Sequence, residues 1–225
     1  LGMAGTYMEA PCPNPSGFFM TFDEVLCVLF PPPSEVERPD YLQCLYNYAT
    51  MLPKPALIVE IGCFRGYSTV TMAAALQGTG SQIITIDPLF GQRAYLCPDG
   101  NFYAAAESML FLHMLLARCG LDGMVSCIPD FSWNVLKRWD GRAIDLLFID
   151  GEHSYEAVGK DCQWMQYVRP GGYCAIDDYI APVSEAAEKY VDAHSDWRIL
   201  HRSTDPTDGE MVVTLLQKEK VRDGL

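Results

Sequence analysis

The 225-residue sequence is 49% hydrophobic, enough for one sizeable core and too short for two ordinary catalytic domains joined by a linker. Lys and Arg number 16 against 29 Asp and Glu, a net charge of −13, so a polyphosphate would meet repulsion and nucleic acid is not an expected partner. Nine scattered cysteines without a C-x-x-C pair, no basic-then-apolar opening and no apolar run near the ~20 residues of a membrane span lead to the expectation of a cytoplasmic protein with free thiols and no membrane association.

Residues 1–39 read as an N-terminal arm or lid. It is rich in proline (Pro11, Pro13, Pro15, Pro31 to Pro33) and carries one short apolar segment, Val25 to Phe30. Residues 40–225 read as the catalytic-type domain. Ser34 or Asp40 starts a helix through Leu42, Leu45, Tyr46 and Ala49, and Pro53 and Pro55 end it. Short apolar runs then alternate with longer amphipathic ones, the pattern of a parallel sheet covered by helices on both faces. Strands are expected at Leu57 to Ile61, Gln82 to Ile86, Met124 to Ile128, Ile144 to Ile149 and Tyr173 to Ile176. Helices are expected at Gly66 to Leu76, Tyr103 to Cys119, Trp133 to Trp139, Tyr155 to Val168 and Val183 to His194. Trp197 to His201 and Met211 to Leu216, with Asp205, Pro206 and Gly209 between them, read as an antiparallel C-terminal hairpin.

An open α/β sheet binds ligands outside the carboxyl ends of its strands. Here those ends read Glu60-Ile61-Gly62, Asp87, Pro129-Asp130, Asp150-Gly151 and Asp177-Asp178, so each parallel strand delivers an acidic residue to one rim. The first loop, Gly62-Cys63-Phe64-Arg65-Gly66, has glycines where the chain must turn tightly beside a ligand. The middle glycine of the dinucleotide fingerprint is replaced by Phe64, and Glu60 would repel a pyrophosphate. S-adenosylmethionine carries a sulfonium and an ammonium but no phosphate, and an acidic rim complements it. Asp87 can accept the hydroxyls of a ribose. Taken singly, Glu60 and Asp87 are equally well read as strand-end caps; spaced as one β-α-β unit around the glycine loop, they favour a cofactor.

The stretch from Ile58 to Ala73, with Glu60-Ile61-Gly62-Cys63-Phe64-Arg65-Gly66-Tyr67-Ser68 at its centre, resembles the cofactor loop of catechol O-methyltransferase and its relatives, in particular the branch that methylates sugar hydroxyls of macrolides. The likeness runs from about Leu57 to Tyr179 and implies a class I S-adenosylmethionine-dependent O-methyltransferase. The implied fold is a Rossmann-like, doubly wound, mostly parallel seven-stranded sheet with helices on both faces and the antiparallel hairpin at its end. By resemblance, Glu60, Gly62, Cys63, Phe64, Gly66 and Ser68 surround the methionine part of the cofactor, Asp87 holds its ribose, and Asp130, Phe131 and Ser132 line the adenine, with Asp150 also near the cofactor. Relatives place a glycine near position 129 or 130, where this sequence has Pro129-Asp130.

Asp150, Asp177 and Asp178 fall at the ends of strands expected to be neighbours. Three carboxylates together repel one another, and a divalent cation removes the conflict. A set of oxygens without a soft ligand favours Mg²⁺, with Ca²⁺ and Mn²⁺ suiting it nearly as well. The catechol enzymes have an Asp-Asn pair where this chain has Asp177-Asp178. A cation and a base would together activate an acceptor hydroxyl, and His153, three residues beyond Asp150, is the expected base. The catechol enzymes have a lysine at that place and the macrolide-sugar branch a histidine. The alternative is that His153 only orients Asp150 or Ser154.

His113 reads as a core residue, Lys160 and Asp161 as an exposed helix face, and Gly171-Gly172 as a helix-to-strand turn. Aromatic residues of the arm (Tyr7, Met8, Phe18, Phe19, Phe22) and of the segment Leu89 to Tyr103 are expected to close over a small hydroxyl-bearing acceptor. Two rivals stand beside this reading: a nicotinamide-dependent oxidoreductase of the same fold class, and a non-catalytic scaffold. A homo-oligomer is left open.

Overall fold

Strand residues alternate between faces, and this period divides the core in two. In the computed structural model, which describes residues 20–29, 40–88, 95–96, 102–103, 105–204 and 211–219, β1 (Leu57–Ile61) sends Ile58 to one hydrophobic cluster and Val59 and Ile61 to the other. Strand β6 (Ile144–Ile149) divides in the same way, with Leu146 and Phe148 on the first side and Leu147 and Ile149 on the second.

The first side is covered by α1 (Phe22–Leu29), α2 (Asp40–Met51), α3 (Tyr67–Ala75) and α4 (Ala105–Cys119). The second is covered by α5 (Ser132–Leu136), α6 (Tyr155–Asp161) and α7 (Val183–Ala193). Strands β2 (Gln82–Ile86), β5 (Val125–Ile128) and β7 (Val168–Asp177) complete the parallel part, and β8 (Trp197–Thr204) and β9 (Met211–Lys218) the hairpin. The sheet order is β5-β2-β1-β6-β7-β9-β8, with β9 antiparallel to both its neighbours. The order reverses between β1 and β6, which opens a crevice at their carboxyl ends.

Three local features differ from the sequence reading. The apolar piece of the arm is a helix, α1, whose Val25, Leu26, Val28 and Leu29 are buried in the first cluster. It opens on a capping box: the Glu24 carboxylate accepts from the Thr21 amide at 2.7 Å, and the Glu24 amide donates back to the Thr21 hydroxyl at 3.3 Å. The helix expected over Tyr155 to Val168 tightens after Asp161 into a 3₁₀ segment, Cys162–Tyr167. Gly171 and Gly172 lie inside β7, not before it. There the register against β6 jumps from Ile144↔Val168 to Leu146↔Tyr173, and Gly171 takes a φ of 78° to make the bulge.

Helix α2 stops because Pro53 has no amide to donate, and its end is capped by the Lys54 ammonium, which donates to the carbonyls of Thr50 and Leu52 at 2.6 Å each. A short ribbon pairs β3 (Tyr95–Leu96) with β4 (Phe102–Tyr103) inside the segment expected to carry specificity. The rest of that segment, the arm outside 20–29 and the hairpin turn at 205–210 lie outside the described residues. Among the described residues no helix is long and apolar enough to cross a membrane.

Candidate active site

The loop after β1 is built against the loop after β6. Gly62 has φ 85°, and its amide donates to the Ile86 carbonyl at 2.8 Å. A Cβ at this position would overlap the carbonyl oxygen of Asp150, whose own amide donates to Ile61 at 2.8 Å. Only glycine allows these two loops to meet, and their meeting sets Asp150 beside the glycine turn. Gly66 (φ 83°) holds a left-handed turn against the Leu112 side chain of α4.

Glu60 is fully buried, because its place in β1 puts it on the α3 side of the sheet. Ser68 and Thr69, in the first turn of α3, donate to its two oxygens at 2.6 Å each. Burial pushes its carboxyl up to about 7, against the lowering effect of those hydroxyls and of Thr85. Glu60 therefore lies beneath the crevice and braces α3, while the loop itself forms the rim.

Asp87 lies at the rim as expected. Its Oδ2 accepts from the amides of Cys63 and Phe64 at 3.0 Å each, which ties the ends of β1 and β2 together. Phe64 sits in the left-handed region at φ 44° and is partly exposed. The Cys63 thiol is buried; its hydrogen bond with Cys127, burial and the charges of Glu60 and Asp87 push it up.

On the far side of β2, Asp130 is turned into its own helix. It accepts from the Phe131 amide at 2.8 Å and the Asn134 side chain at 3.1 Å, and pairs with Arg138 at 2.7 Å. Phe131 stacks on Trp133 with centroids 4.6 Å apart. Ser132 is buried and donates its hydroxyl to Asp161. Asp161 is 2% exposed, in contrast to the exposed face expected for it, because α6 lies against α5 and turns this position inward. His113 is exposed on α4, since Leu112, Leu115 and Leu116 supply that helix's buried stripe.

The acidic cluster forms as its strand order requires. Asp150, His153 and Asp177 each offer a ligand atom within 4.8 Å of the others. His153 lies between two carboxylates: its Nε2 is 3.5 Å from Asp150 Oδ1 and its Nδ1 is 3.1 Å from Asp178 Oδ2. These partners push the imidazole up to about 10. Asp178 occupies a left-handed turn, φ 44°, that aims its carboxylate at the histidine. Its own pKa is lowered by that contact.

Burial and the neighbouring charges of Asp150 and Asp178 push Asp177 up to about 9, and burial raises Asp150 as well. Asp177 Oδ1 and His153 Nε2 are buried atoms without a hydrogen-bond partner. An orphaned carboxylate oxygen beside a second carboxylate and an imidazole nitrogen is a donor set that fits a divalent cation. It differs from the expected set in bringing His153 into the group, while Asp178 is held by the imidazole.

Tyr41 of α2 was not among the expected site residues. Burial and the charges of Asp150, Asp177 and Glu60 raise its phenol, which lies within electrostatic reach of the cluster. Nothing in its local sequence signals this, because the approach of α2 to the crevice is decided by packing against α3.

A methyltransferase-domain family model matches residues 59–179, more than half of the sequence. The chain belongs to this methyltransferase family. Mouse catechol O-methyltransferase is 26% identical over 179 residues, covering 76% of this chain and 57% of that protein. An uncharacterised protein of Acanthamoeba polyphaga mimivirus is 32% identical over 143 residues, covering 62% of this chain and 59% of that one. The chain thus spans less than three fifths of the length of these two relatives.

Among solved structures, the O-methyltransferase TomG of Streptomyces achromogenes, which is involved in tomaymycin synthesis and was solved with S-adenosylmethionine, superposes with a TM-score of 0.64 at 17% identity over 88% of this chain and 89% of that one. An O-methyltransferase of Bacillus cereus solved with the demethylated cofactor gives 0.62 at 16% identity, over 88% and 90% of the two chains. These likenesses establish the Rossmann-like methyltransferase fold.

Proposed function

We propose that the protein transfers a methyl group from S-adenosylmethionine to a hydroxyl of a small organic acceptor, a sugar, polyketide or phenol. The observation that carries the reading is the abutment of Gly62 on Asp150, which puts the glycine turn and the Asp150-His153-Asp177 cluster at one crevice of a methyltransferase-family chain. A sulfonium donor suits this crevice because carboxylates surround it, and the Phe64 ring, standing where the dinucleotide fingerprint has its middle glycine, hinders close approach of a pyrophosphate.

In this reading Gly62, Cys63, Phe64, Gly66 and Ser68 border the methionine part, Asp87 the ribose, and Phe131 and Ser132 the adenine. Methyl transfer is an in-line displacement, so the acceptor oxygen must be held opposite the sulfonium and relieved of its proton. In its unprotonated form, reached against a pKa that Asp150 and Asp178 push up to about 10, His153 takes that proton at Nε2, while Asp178 accepts from Nδ1–H and fixes the tautomer. Asp150 and Asp177, with Asp178 at hand, are the residues that would hold Mg²⁺, or Ca²⁺ or Mn²⁺, since these hard cations take oxygen donors and Nε2 of His153 is kept for the proton. Such an ion would supply charge that offsets the two carboxylates and lowers the acceptor hydroxyl's pKa. The net charge disfavours nucleic acid as acceptor, and the scattered thiols suit a reducing cytoplasm.

Calorimetric titration with S-adenosylmethionine, with and without Mg²⁺, followed by a mass-spectrometric screen of catechols and hydroxylated sugars, tests this. Binding of the donor and a mass gain of one methyl group on an acceptor are expected. Binding of NAD in place of S-adenosylmethionine would overturn the reading.

A further inference from the structure

Asp161 ends α6, outside the cluster and the glycine turn, yet its carboxylate reaches both sides of the site. Its Oδ1 accepts the hydroxyl of Ser132, 29 residues earlier in the chain, at the start of α5. Its Oδ2 faces the loop after β6, where a Cβ built on Gly151 would lie 3.2 Å away. One buried carboxylate is thus wedged between the loop that begins α5 and the loop that carries Asp150 and His153.

The placement costs stability. Burial pushes the Asp161 carboxyl up to about 7. Lys160, whose charge lowers the Asp161 carboxyl, lies with its ammonium 4.7 Å from the Trp133 ring centroid. A carboxylate bonded to Ser132 on one side and facing Gly151 on the other spans the space between the two loops.

We propose that Asp161 is a positioning residue for the methyl donor, holding Ser132 at the adenine side of the crevice and, by filling the space that Gly151 leaves, fixing that side relative to Asp150. The proposal rests on the reading of Ser132 as part of the cofactor site. Asp161 touches neither donor nor acceptor and acts through Ser132.

The test measures S-adenosylmethionine affinity by calorimetry, kcat and KM, and thermal midpoints for D161A, D161N, S132A and D161A/S132A. D161A and S132A should each weaken donor binding about tenfold, and D161A, whose side chain touches neither donor nor acceptor, should keep kcat at saturating donor within about twofold of the parent. D161N, whose side-chain oxygen still accepts from Ser132, should recover most of the affinity, and the double variant should bind no more weakly than either single one. A folded D161A with parental affinity, a D161N as weak as D161A, or additive losses in the double variant would each overturn the proposal. Should D161A not fold, D161N and S132A carry the test: D161N near the parent and S132A weakened about tenfold are expected, and a D161N as weak as S132A overturns the proposal. S132A binding the donor normally would remove Ser132 from the cofactor site and the proposal with it, leaving methyl transfer intact. Absence of donor binding by the parent protein would instead remove the activity.

Discussion

The Nδ1 atom of His153 lies 3.1 Å from Oδ2 of Asp178, a contact made between the loops that follow two adjacent parallel strands. It gives the imidazole a fixed edge and leaves Nε2 directed to the acidic cluster. Removing one of the two anions that push His153 to about 10 must lower its pKa. In Asp178→Asn the rise of kcat with pH should therefore move to lower pH by about one unit, because the working form of a base is the unprotonated one. His153→Ala should lower kcat by about 10² or more with donor affinity retained. A pH–rate profile of D178N that superposes on the parent's would remove this pair from proton transfer.

Asp177 combines a raised pKa with an orphaned buried oxygen. Mg²⁺ or Mn²⁺ should raise the thermal midpoint of the parent protein and leave that of Asp177→Ala unmoved. Cation-dependent turnover should vanish in the variant while donor affinity stays within about threefold. Equal turnover in a chelator and in Mg²⁺ would show that the cluster works without an ion.

Gly62→Ala should be among the most damaging single changes. The added methyl meets the backbone of Asp150, which cannot rotate away, and the residue must hold φ 85°. A loss of about 3–5 kcal/mol in urea unfolding is expected, together with loss of donor binding. A stable G62A that binds the donor would mean that the two loops can separate without consequence.

Stability should fall as pH rises. Burial raises the folded pKa of Glu60 and Asp161 to about 7 and, first among its causes, that of Asp177 to about 9. For a carboxyl raised in the folded state, the native form binds more protons than the unfolded one between the two pKa values. Its stabilising contribution is therefore whole below the unfolded value, near 4, and is lost as pH rises through the folded one. His153 acts in the same direction, through the interval between its ordinary pKa and about 10. Urea midpoints without cofactor or cation should fall from pH 5 to pH 8. Glu60→Gln, which has no proton to lose, should flatten the fall by on the order of 1–3 kcal/mol. A slope unchanged by this substitution would mean that Glu60 is not a buried acid of raised pKa.

Much of the fold was legible because parallel strands buried on both faces are written as short apolar runs, and those from Leu57, Gln82 and Ile144 begin and end where the structure has them. The capping box at Thr21 and Glu24 was also legible in principle, but the prolines around it hid a helix of only eight residues. Asp161 was misplaced because a charged residue next to Lys160 has the pattern of a solvated face, and its burial comes from α5, an element outside its own helix.

The amino-acid order alone determined the chemistry available at the strand ends, since which residue follows each apolar run is a one-dimensional fact. It could not determine which of those residues face one another. Glu60 went beneath the crevice because its parity in β1 points to α3; His153 came between Asp150 and Asp178 because β6 pairs with β7; Tyr41 arrived on a helix with no local reason to be there. Such juxtapositions are set by register and packing between segments far apart in the chain, and these exist only once the core has closed.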